Sequence, residues 1–189
     1  MDVKEAIEKR RAYRSLDPVE ITEDLIVSLA ESAQLAPSCK NSQSWRFIFV
    51  FDREQLQKLF TSIAPGNKWV EKASMILVVF SKVQYDCIIK ERLYYLFDSG
   101  IATAFIILRA TELGLIAHPI AGFEETIVKK VCGIPIEMRV ITLVIIGKKS
   151  SELNPDLTDL MKMTENSRPG RLPLKQFVYY NCFNQLSPS

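Results

Sequence analysis

Two groups of arginines are the residues of this chain best suited to binding a charged ligand. Arg10, Arg11 and Arg14 lie near the start, and Arg168 and Arg171 lie near the end. A guanidinium group offers several N–H donors in one plane, which suits a phosphate. Both groups could converge on one phosphate, or the first group could only complement the dipole of a helix C-terminus and stay solvated. The spacing alone leaves both interpretations open.

A polar loop is the second candidate. Residues 37–45 carry small, hydroxyl and amide side chains between a helical pattern that stops at Pro37 and a strand pattern that begins at Arg46. Asn41 and Gln43 could hydrogen-bond the edge of a polar, planar ligand, or they could only fix the backbone of their own loop. The position between two regular elements favours a binding loop.

The third candidate is the segment after the single histidine, His118. Backbone N–H groups of Ala121 and Gly122 can donate to a ligand acceptor, although the same pattern is typical of an ordinary strand-to-helix turn. One histidine argues against a histidine-based metal site and against Ser-His-Asp or Cys-His catalysis. We expect His118 to be a packed or surface residue. Because the sequence contains neither G-x-G-x-x-G nor a P-loop, any phosphate must be bound by arginines.

Composition predicts one compact domain without a strong electric field. The chain has 189 residues, 48% of them hydrophobic, and a net charge of +2, so we expect neither nucleic acid nor a membrane as a partner. The four cysteines form no C-x-x-C pair, which predicts reduced thiols in a cytoplasmic protein. The charged N-terminus lacks the apolar centre of a signal peptide, and no apolar stretch approaches the ~20 residues that span a bilayer.

Apolar periodicity predicts interspersed helices and strands. Helical patterns cover residues 2–11, 22–36, 52–63, 87–113 and 124–132, and extended patterns cover residues 46–51, 75–80, 115–122 and 140–147. The helix across residues 87–113 is either continuous or broken near Gly100. Residues 75–80 are apolar throughout, which is typical of a central strand. The fold class is α+β or α/β with a mixed sheet.

The sequence also predicts a homodimer. The second half of the 87–113 helix has no polar face, so a second copy of the chain is one way to cover it. After Ser150 the chain becomes polar and rich in proline, with one strand-like run at residues 176–180. We expect residues 1–189 to form a single domain whose tail, from about residue 151, packs on the partner subunit.

Five segments, in their order and spacing, resemble the nitroreductase family of flavin enzymes. They are residues 9–14, residues 36–47, residues 98–102 leading to residues 112–115, residues 119–123, and residues 170–174. The resemblance implies an α+β homodimer with a central mixed sheet flanked by helices, an exchanged tail, and two FMN sites at the subunit interface. It also implies ping-pong hydride transfer from NADH or NADPH to a nitroaromatic, a quinone or a similar electron-poor small molecule.

The resemblance implies roles for individual residues, which fall into three groups. The FMN phosphate would be held by Arg10, Arg11 and Arg171, with Arg14 near the flavin. The loop that reaches the flavin from the other subunit would comprise Pro37, Ser38, Cys39 and Asn41. The segment beside the ring and its reactive nitrogen would comprise Pro119, Ile120, Ala121 and Gly122, with Asn67 as a further contact.

Three departures from the family pattern affect these roles. Ala12 stands where a serine hydroxyl is common, Ala121 replaces an acidic residue found in some members, and Ser44 replaces the usual proline before Trp45. The resemblance places the chemistry on the flavin, so no catalytic side chain is expected.

Two alternative functions stay open. One is a specialised flavin enzyme of the same fold, which dehalogenates an aromatic or consumes reduced flavin. The other is a non-catalytic module that binds flavin or phosphate. Only about seventeen residues separate the strand at 75–80 from Asp98, so there is little room for the substrate-covering segments of specialised members. The short connection favours the simple reductase.

Overall fold

The computed structural model describes residues 1–183. Helices and strands are interspersed along these residues, as the sequence predicts. The helices are α1 (Val3–Lys9), α2 (Glu23–Gln34), α3 (Arg53–Phe60), α4 (Tyr94–Glu112), α5 (Glu125–Cys132) and α6 (Asp159–Asn166). The strands are β1 (Leu16–Asp17), β2 (Arg46–Val50), β3 (Met75–Ser81), β4 (Leu115–Ile120) and β5 (Arg139–Lys149). Short 3₁₀ segments cover Cys39–Asn41, Pro65–Lys72, Val83–Tyr85 and Leu174–Gln176.

One five-stranded sheet organises the chain. β5 pairs with β1, β3 and β4, and β2 pairs with β3. All of these pairs are antiparallel, so residues 1–183 contribute no parallel pair to the sheet. Helices flank the sheet, and the expected α+β class is confirmed.

Strand β3 carries a core on each of its faces, because successive side chains of a strand point in opposite directions. Ile76 and Val78 join one buried cluster with Trp69 and the inner residues of α3. Leu77 and Val79 join the other with residues of α2 and α4 such as Ile106. All seven residues of β3 are buried. The prediction of a central strand at residues 75–80 is therefore confirmed.

Helix α1 ends earlier than the periodicity predicts. The helical pattern reaches about Arg11, but the last helical residue is Lys9 and Arg10 has a non-helical ψ of 123°. The Arg168 guanidinium donates to the carbonyls of Glu8 and Arg10, so a residue from the far end of the chain caps this helix. As a result, Arg10, Arg11 and Arg14 lie on non-helical backbone.

Helix α4 begins later than predicted and does not break. The Asp86 carboxylate accepts a hydrogen bond from the backbone N–H of Tyr95 at 3.0 Å, at the start of the helix. Residues 87–93 are therefore outside it. Gly100 lies within its 19 residues, so the continuous alternative is correct.

The chain after Ser150 differs from its predicted description in two ways. It contains helix α6, which has Thr158 as its N-cap. The polar composition of the segment gave no indication of this helix. Residues 176–180 form no strand, and a single 3₁₀ turn covers Leu174–Gln176 instead. Residues up to α6 pack on their own chain, because Leu157 is buried in the core and Asn154 bonds Ser15. Whether later residues pack on a partner stays a prediction.

Candidate functional site

The two arginine groups meet around one cavity of about 130 Å³. The chain after α1 forms one wall and the residues after α6 form the other. Its arginines are Arg10, Arg11, Arg14, Arg168 and Arg171, and its other lining residues are Ala12, Thr164 and Pro169. No acidic side chain lines the cavity. Among residues 1–183, none of these arginines forms an ion pair with a carboxylate within 4.0 Å.

The cavity is therefore a concentration of uncompensated positive charge. Burial lowers the pKa of Arg10 from its ordinary value, and the neighbouring charges of Arg168, Arg171 and Arg11 lower it further. Like charges accumulate in a fold at a cost in free energy unless an anion offsets them. A phosphate, with two negative charges and three acceptor oxygens, matches this set of donors.

A stack of rings extends from the arginines toward the sheet. The Arg14 guanidinium lies 5.9 Å from the centre of the Trp69 ring, and the Trp69 ring stacks on His118 at 4.7 Å between centroids. His118 Nδ1 lies 3.1 Å from the carbonyl oxygen of Tyr13, which fixes the chain between the arginines. Trp69 and His118 are both buried, so of the two predicted places for His118, packed or at the surface, the structure shows the packed one.

The His118 imidazole is neutral at ordinary pH. Burial lowers its pKa to about 4, with Arg14 and Arg10 acting in the same direction against the Tyr13 carbonyl and Glu165. A neutral imidazole donates one hydrogen bond, here from Nδ1 to the Tyr13 carbonyl. The ring therefore adds no further charge to the arginine cavity.

Asn67 joins this stack to the end of β4. Trp69 Nε1 donates to Asn67 Oδ1 at 3.2 Å. A Cβ atom at Gly122 would lie only 2.5 Å from Asn67 Nδ2, so glycine is what permits this close approach. The Gly122 carbonyl accepts a hydrogen bond from Ala64 N, which ties the segment to the 3₁₀ turn. Pro119 and Ile120 close β4 in register with Val144 and Leu143 of β5.

The polar loop is built separately from the arginine cavity. Buried Asp98 of α4 accepts hydrogen bonds from Cys39 N at 3.1 Å and from Ser42 Oγ at 3.4 Å. Burial raises the pKa of the Asp98 carboxyl, and the Asp86 charge adds to this, while the Cys39 and Ser42 bonds oppose it. The hydrogen bonds found for residues 37–45 do not join the loop to the five arginines of the cavity, to Asn67 or to Gly122.

Three residues of this loop have left-handed backbone. The φ angles are 51° at Lys40, 55° at Asn41 and 45° at Gln43, which non-glycine residues adopt at a cost. The Gln43 amide donates to Asn41 Oδ1 at 3.2 Å. Both amides thus fix their own loop, which is one of the two roles left open above. Ser44, in place of the usual proline, is buried, and its hydroxyl has no hydrogen-bond partner among residues 1–183.

The prediction of four reduced cysteines is wrong for two of them. Cys39 and Cys87 form a disulfide, with Cα atoms 5.8 Å apart, while Cys132 and Cys182 are free. The partners lie 48 residues apart in sequence, and they meet because Asp98 and Asp86 bring the loop and the lead-in to α4 together. Spacing gave no sign of this contact, since it depends on tertiary structure.

The structure thus joins two groups of predicted site residues into one region, because buried Trp69 connects the arginine cavity to Asn67 and the turn at residues 119–122. It also adds residues to this region. Thr164, Glu165, Trp69 and His118 support the site but were not among the predicted site residues. A larger cavity, of about 720 Å³, lies elsewhere, between residues 15–21 and 150–155, and none of the predicted site residues lines it. Both acidic and basic side chains line it, so, unlike the arginine cavity, it does not favour a negatively charged ligand.

Comparison with known proteins decides the family. The model of the nitroreductase family matches residues 7–68. A candidate NADH dehydrogenase/NAD(P)H nitroreductase from Methanothermobacter thermautotrophicus is 30% identical over 165 residues, which cover 85% of this chain and 83% of the relative. This chain belongs to the nitroreductase family. The matched stretch includes two of the segments on which the sequence resemblance rests, residues 9–14 and 36–47.

Solved structures share the nitroreductase fold. A nitroreductase family protein from Clostridium novyi NT is 26% identical, with a TM-score of 0.74 over 80% of this chain and 87% of the other. A candidate nitroreductase from Exiguobacterium sibiricum, solved in complex with FMN, is 22% identical, with a TM-score of 0.79 over 95% of this chain and 97% of the other. In the described part of this chain, no helix combines the length and apolarity needed to cross a membrane. Residues 1–183 also contain no cluster of metal-binding side chains.

Proposed function

We propose that this protein is an FMN-dependent oxidoreductase that uses NADH or NADPH to reduce nitroaromatics, quinones or similar electron-poor molecules by a ping-pong mechanism. The observation that carries the proposal is the cavity in which five arginines converge without an acidic partner. A relative named NAD(P)H nitroreductase and a structural neighbour that binds FMN support it.

The arginine cavity fits the phosphate of FMN. Its donors include Arg10, Arg11 and Arg171, which the resemblance assigns to the phosphate. Arg14, which the resemblance places near the flavin, and Arg168, from the second arginine group, also line it. Burial and the neighbouring arginine charges lower the pKa of Arg10, and two negative charges would relieve the part that is due to repulsion. Ala12 contributes no hydroxyl at this place, so the guanidinium groups would hold the phosphate without a serine.

The flavin ring would lie at the end of this region that is opposite the arginine cavity, beside the turn after β4. Asn67 and Gly122 approach each other there, and Trp69 connects them to Arg14. Ala121 is exposed, and its backbone N–H would donate to a ligand acceptor there. FMN, when bound, accepts a hydride from the nicotinamide and delivers it to the substrate. The role of the chain is to hold the phosphate and to place the ring beside Pro119–Gly122.

A homodimer would complete each site. Helix α4 exposes Phe97 at 58%, and the tail exposes Leu174 at 66% and Phe177 at 55%, which is apolar surface that a second subunit would cover. Within one chain the loop carrying Pro37, Ser38, Cys39 and Asn41 is anchored on α4 by Asp98. We propose that this loop reaches the flavin of the partner subunit, and that residues beyond α6 pack on that subunit.

The proposal is tested by identifying what the purified protein binds and reduces. We expect a yellow protein that releases FMN on denaturation, elutes as a dimer, and reduces a quinone with NADH or NADPH. A colourless protein that takes up no added FMN would contradict the flavin proposal. A yellow protein that neither nicotinamide reduces would support the non-catalytic alternative instead. Dehalogenation with no quinone or nitroaromatic reduction would support a specialised enzyme of the same fold.

A further inference from the structure

Residues around α6 contact residues 10–15, the non-helical segment that carries Arg10, Arg11 and Arg14. The Ser15 carbonyl accepts a hydrogen bond from Ser150 N at 2.9 Å, and Ser15 Oγ accepts one from Asn154 N at 3.0 Å. Leu157 is buried in the core just before α6. These contacts fix the position of α6 relative to residues 10–15.

Glu165, in the last turn of α6, is a buried carboxylate next to the cavity-lining residue Thr164. Its side chain is 7% exposed, and its two oxygens accept hydrogen bonds from Arg14 N at 2.8 Å and from Ser15 N at 3.0 Å. Residues 10–15 belong to no helix or strand. The N–H groups of Arg14 and Ser15 therefore have no partner from regular secondary structure. Charge-assisted hydrogen bonds are stronger than neutral ones, which offsets the cost of burying the carboxylate.

Thr164, the preceding residue, holds two arginine side chains. Its carbonyl accepts a hydrogen bond from Arg11 Nη2 at 2.9 Å, and its hydroxyl accepts one from Arg14 Nη1 at 3.2 Å. Two neighbouring residues of α6 therefore set both the backbone and the guanidinium positions of this wall. The other wall, with Arg168 and Arg171, begins only two residues after α6 ends.

In the described part of the chain, the Glu165 carboxylate accepts hydrogen bonds from backbone N–H groups and not from guanidinium groups. Among residues 1–183, Glu165 forms no ion pair within 4.0 Å, even though Arg14 is the residue whose N–H it accepts. The guanidinium groups keep donors available for an anion.

We infer that Glu165 is a positioning residue for the anion site: it aligns the backbone of Arg14 and Ser15 so that the arginines converge on the phosphate. It does not contact the phosphate itself. This inference rests on the proposed function, in which the cavity holds the phosphate of FMN.

The test compares two flavins that differ in the phosphate alone. In Glu165→Gln the amide keeps one acceptor, but its NH₂ group faces a backbone N–H, so one of the two hydrogen bonds is lost. We expect FMN to bind about tenfold more weakly, as for the loss of one buried hydrogen bond, and riboflavin to bind within about twofold of the unmodified protein. Dissociation constants are measured on the full chain by flavin fluorescence. The control is Glu152→Gln, at an exposed glutamate outside the cavity.

Each outcome separates the inference from the proposed function. Equal weakening of FMN and riboflavin would show a merely structural role and overturn the inference. Unchanged binding of FMN by a folded Glu165→Gln protein would also overturn it, while leaving the proposed function in place. An unmodified protein that binds neither flavin would overturn both. If Glu165→Gln does not fold, Thr164→Val removes only the hydroxyl that holds Arg14, and the same selective loss of FMN is expected.

Discussion

Replacing Arg10 should move stability and cofactor affinity in opposite directions. Arg10 is half-buried, and its pKa is lowered by burial and by the charges of Arg168, Arg171 and Arg11. Without an anion, its positive charge therefore opposes folding. With a phosphate bound, the same charge becomes a donor to the ligand. The change Arg10→Met keeps most of the aliphatic length and removes only the charge and the donors.

The expected sizes follow from the exposure of the site. A partly exposed like-charge contact costs up to about 1 kcal/mol, so the free energy of unfolding of the flavin-free protein should rise by that much at most. A hydrogen bond to a charged group contributes about 1.5–3 kcal/mol, so FMN should bind roughly 10- to 150-fold more weakly. Urea unfolding of the flavin-free chain and a fluorescence titration with FMN measure the two quantities.

A matched control separates the cavity from general charge effects. Arg53 is an exposed residue at the start of α3 and does not line the cavity, so Arg53→Met should leave FMN affinity unchanged. If Arg10→Met lowered the stability of the flavin-free protein, the repulsion argument would be wrong. If it left FMN affinity intact, the phosphate would not be in this cavity.

Two further predictions concern His118 and the disulfide. In the folded protein the pKa of His118 is about 4, against an ordinary value of 6.5. Its contribution to the free energy of unfolding is therefore complete above pH 6.5 and is lost as the pH falls from 6.5 to 4, by up to about 3 kcal/mol. Urea titrations should show a weaker pH dependence across this window in His118→Phe; an identical slope would refute the assignment. The Cys39–Cys87 bond closes a loop with a sequence separation of 48, for which chain entropy gives about 4 kcal/mol. Dithiothreitol should lower the free energy of unfolding by up to this amount, and it should have no effect on the double variant Cys39→Ala, Cys87→Ala; an insensitive unmodified protein would contradict the disulfide.

Local signals in the sequence were sufficient for the central elements of the fold. Thr22 caps α2, because its hydroxyl oxygen accepts a hydrogen bond from Leu25 N, as its residue type predicts. Gly133 ends α5 with a left-handed φ of 65°. The unbroken apolar run of β3 identified a strand with two covered faces. In each case the determining interaction lies within a few residues.

Features that depend on distant contacts were missed. Helix α4 starts where Asp86 accepts the Tyr95 N–H, nine residues further on, and no propensity indicates that bond. Helix α6 has only eight residues and follows a polar stretch that contains a proline. Its amphipathic pattern is therefore too short to indicate a helix. The end of α1 is set by Arg168, which is 158 residues from the Arg10 carbonyl that it caps.

The candidate site shows the same division. Residue type singled out the arginines and the glycine at position 122, since guanidinium groups and close backbone approach have recognisable sequence signatures. Convergence of the two arginine groups was only one of two open interpretations, because it depends on how α6 packs. Glu165 gave no signal, since a glutamate in a polar helix usually faces solvent.

The central claim is tested most directly by separating the two halves of the reaction under anaerobic conditions. The protein with bound FMN is mixed with NADH or NADPH in a stopped-flow spectrometer, freed of nicotinamide, and then mixed with a quinone. The account predicts loss of the absorption of oxidised flavin in the first step and its full return in the second, with one quinone reduced per flavin. Flavin absorption that neither nicotinamide changes would contradict it.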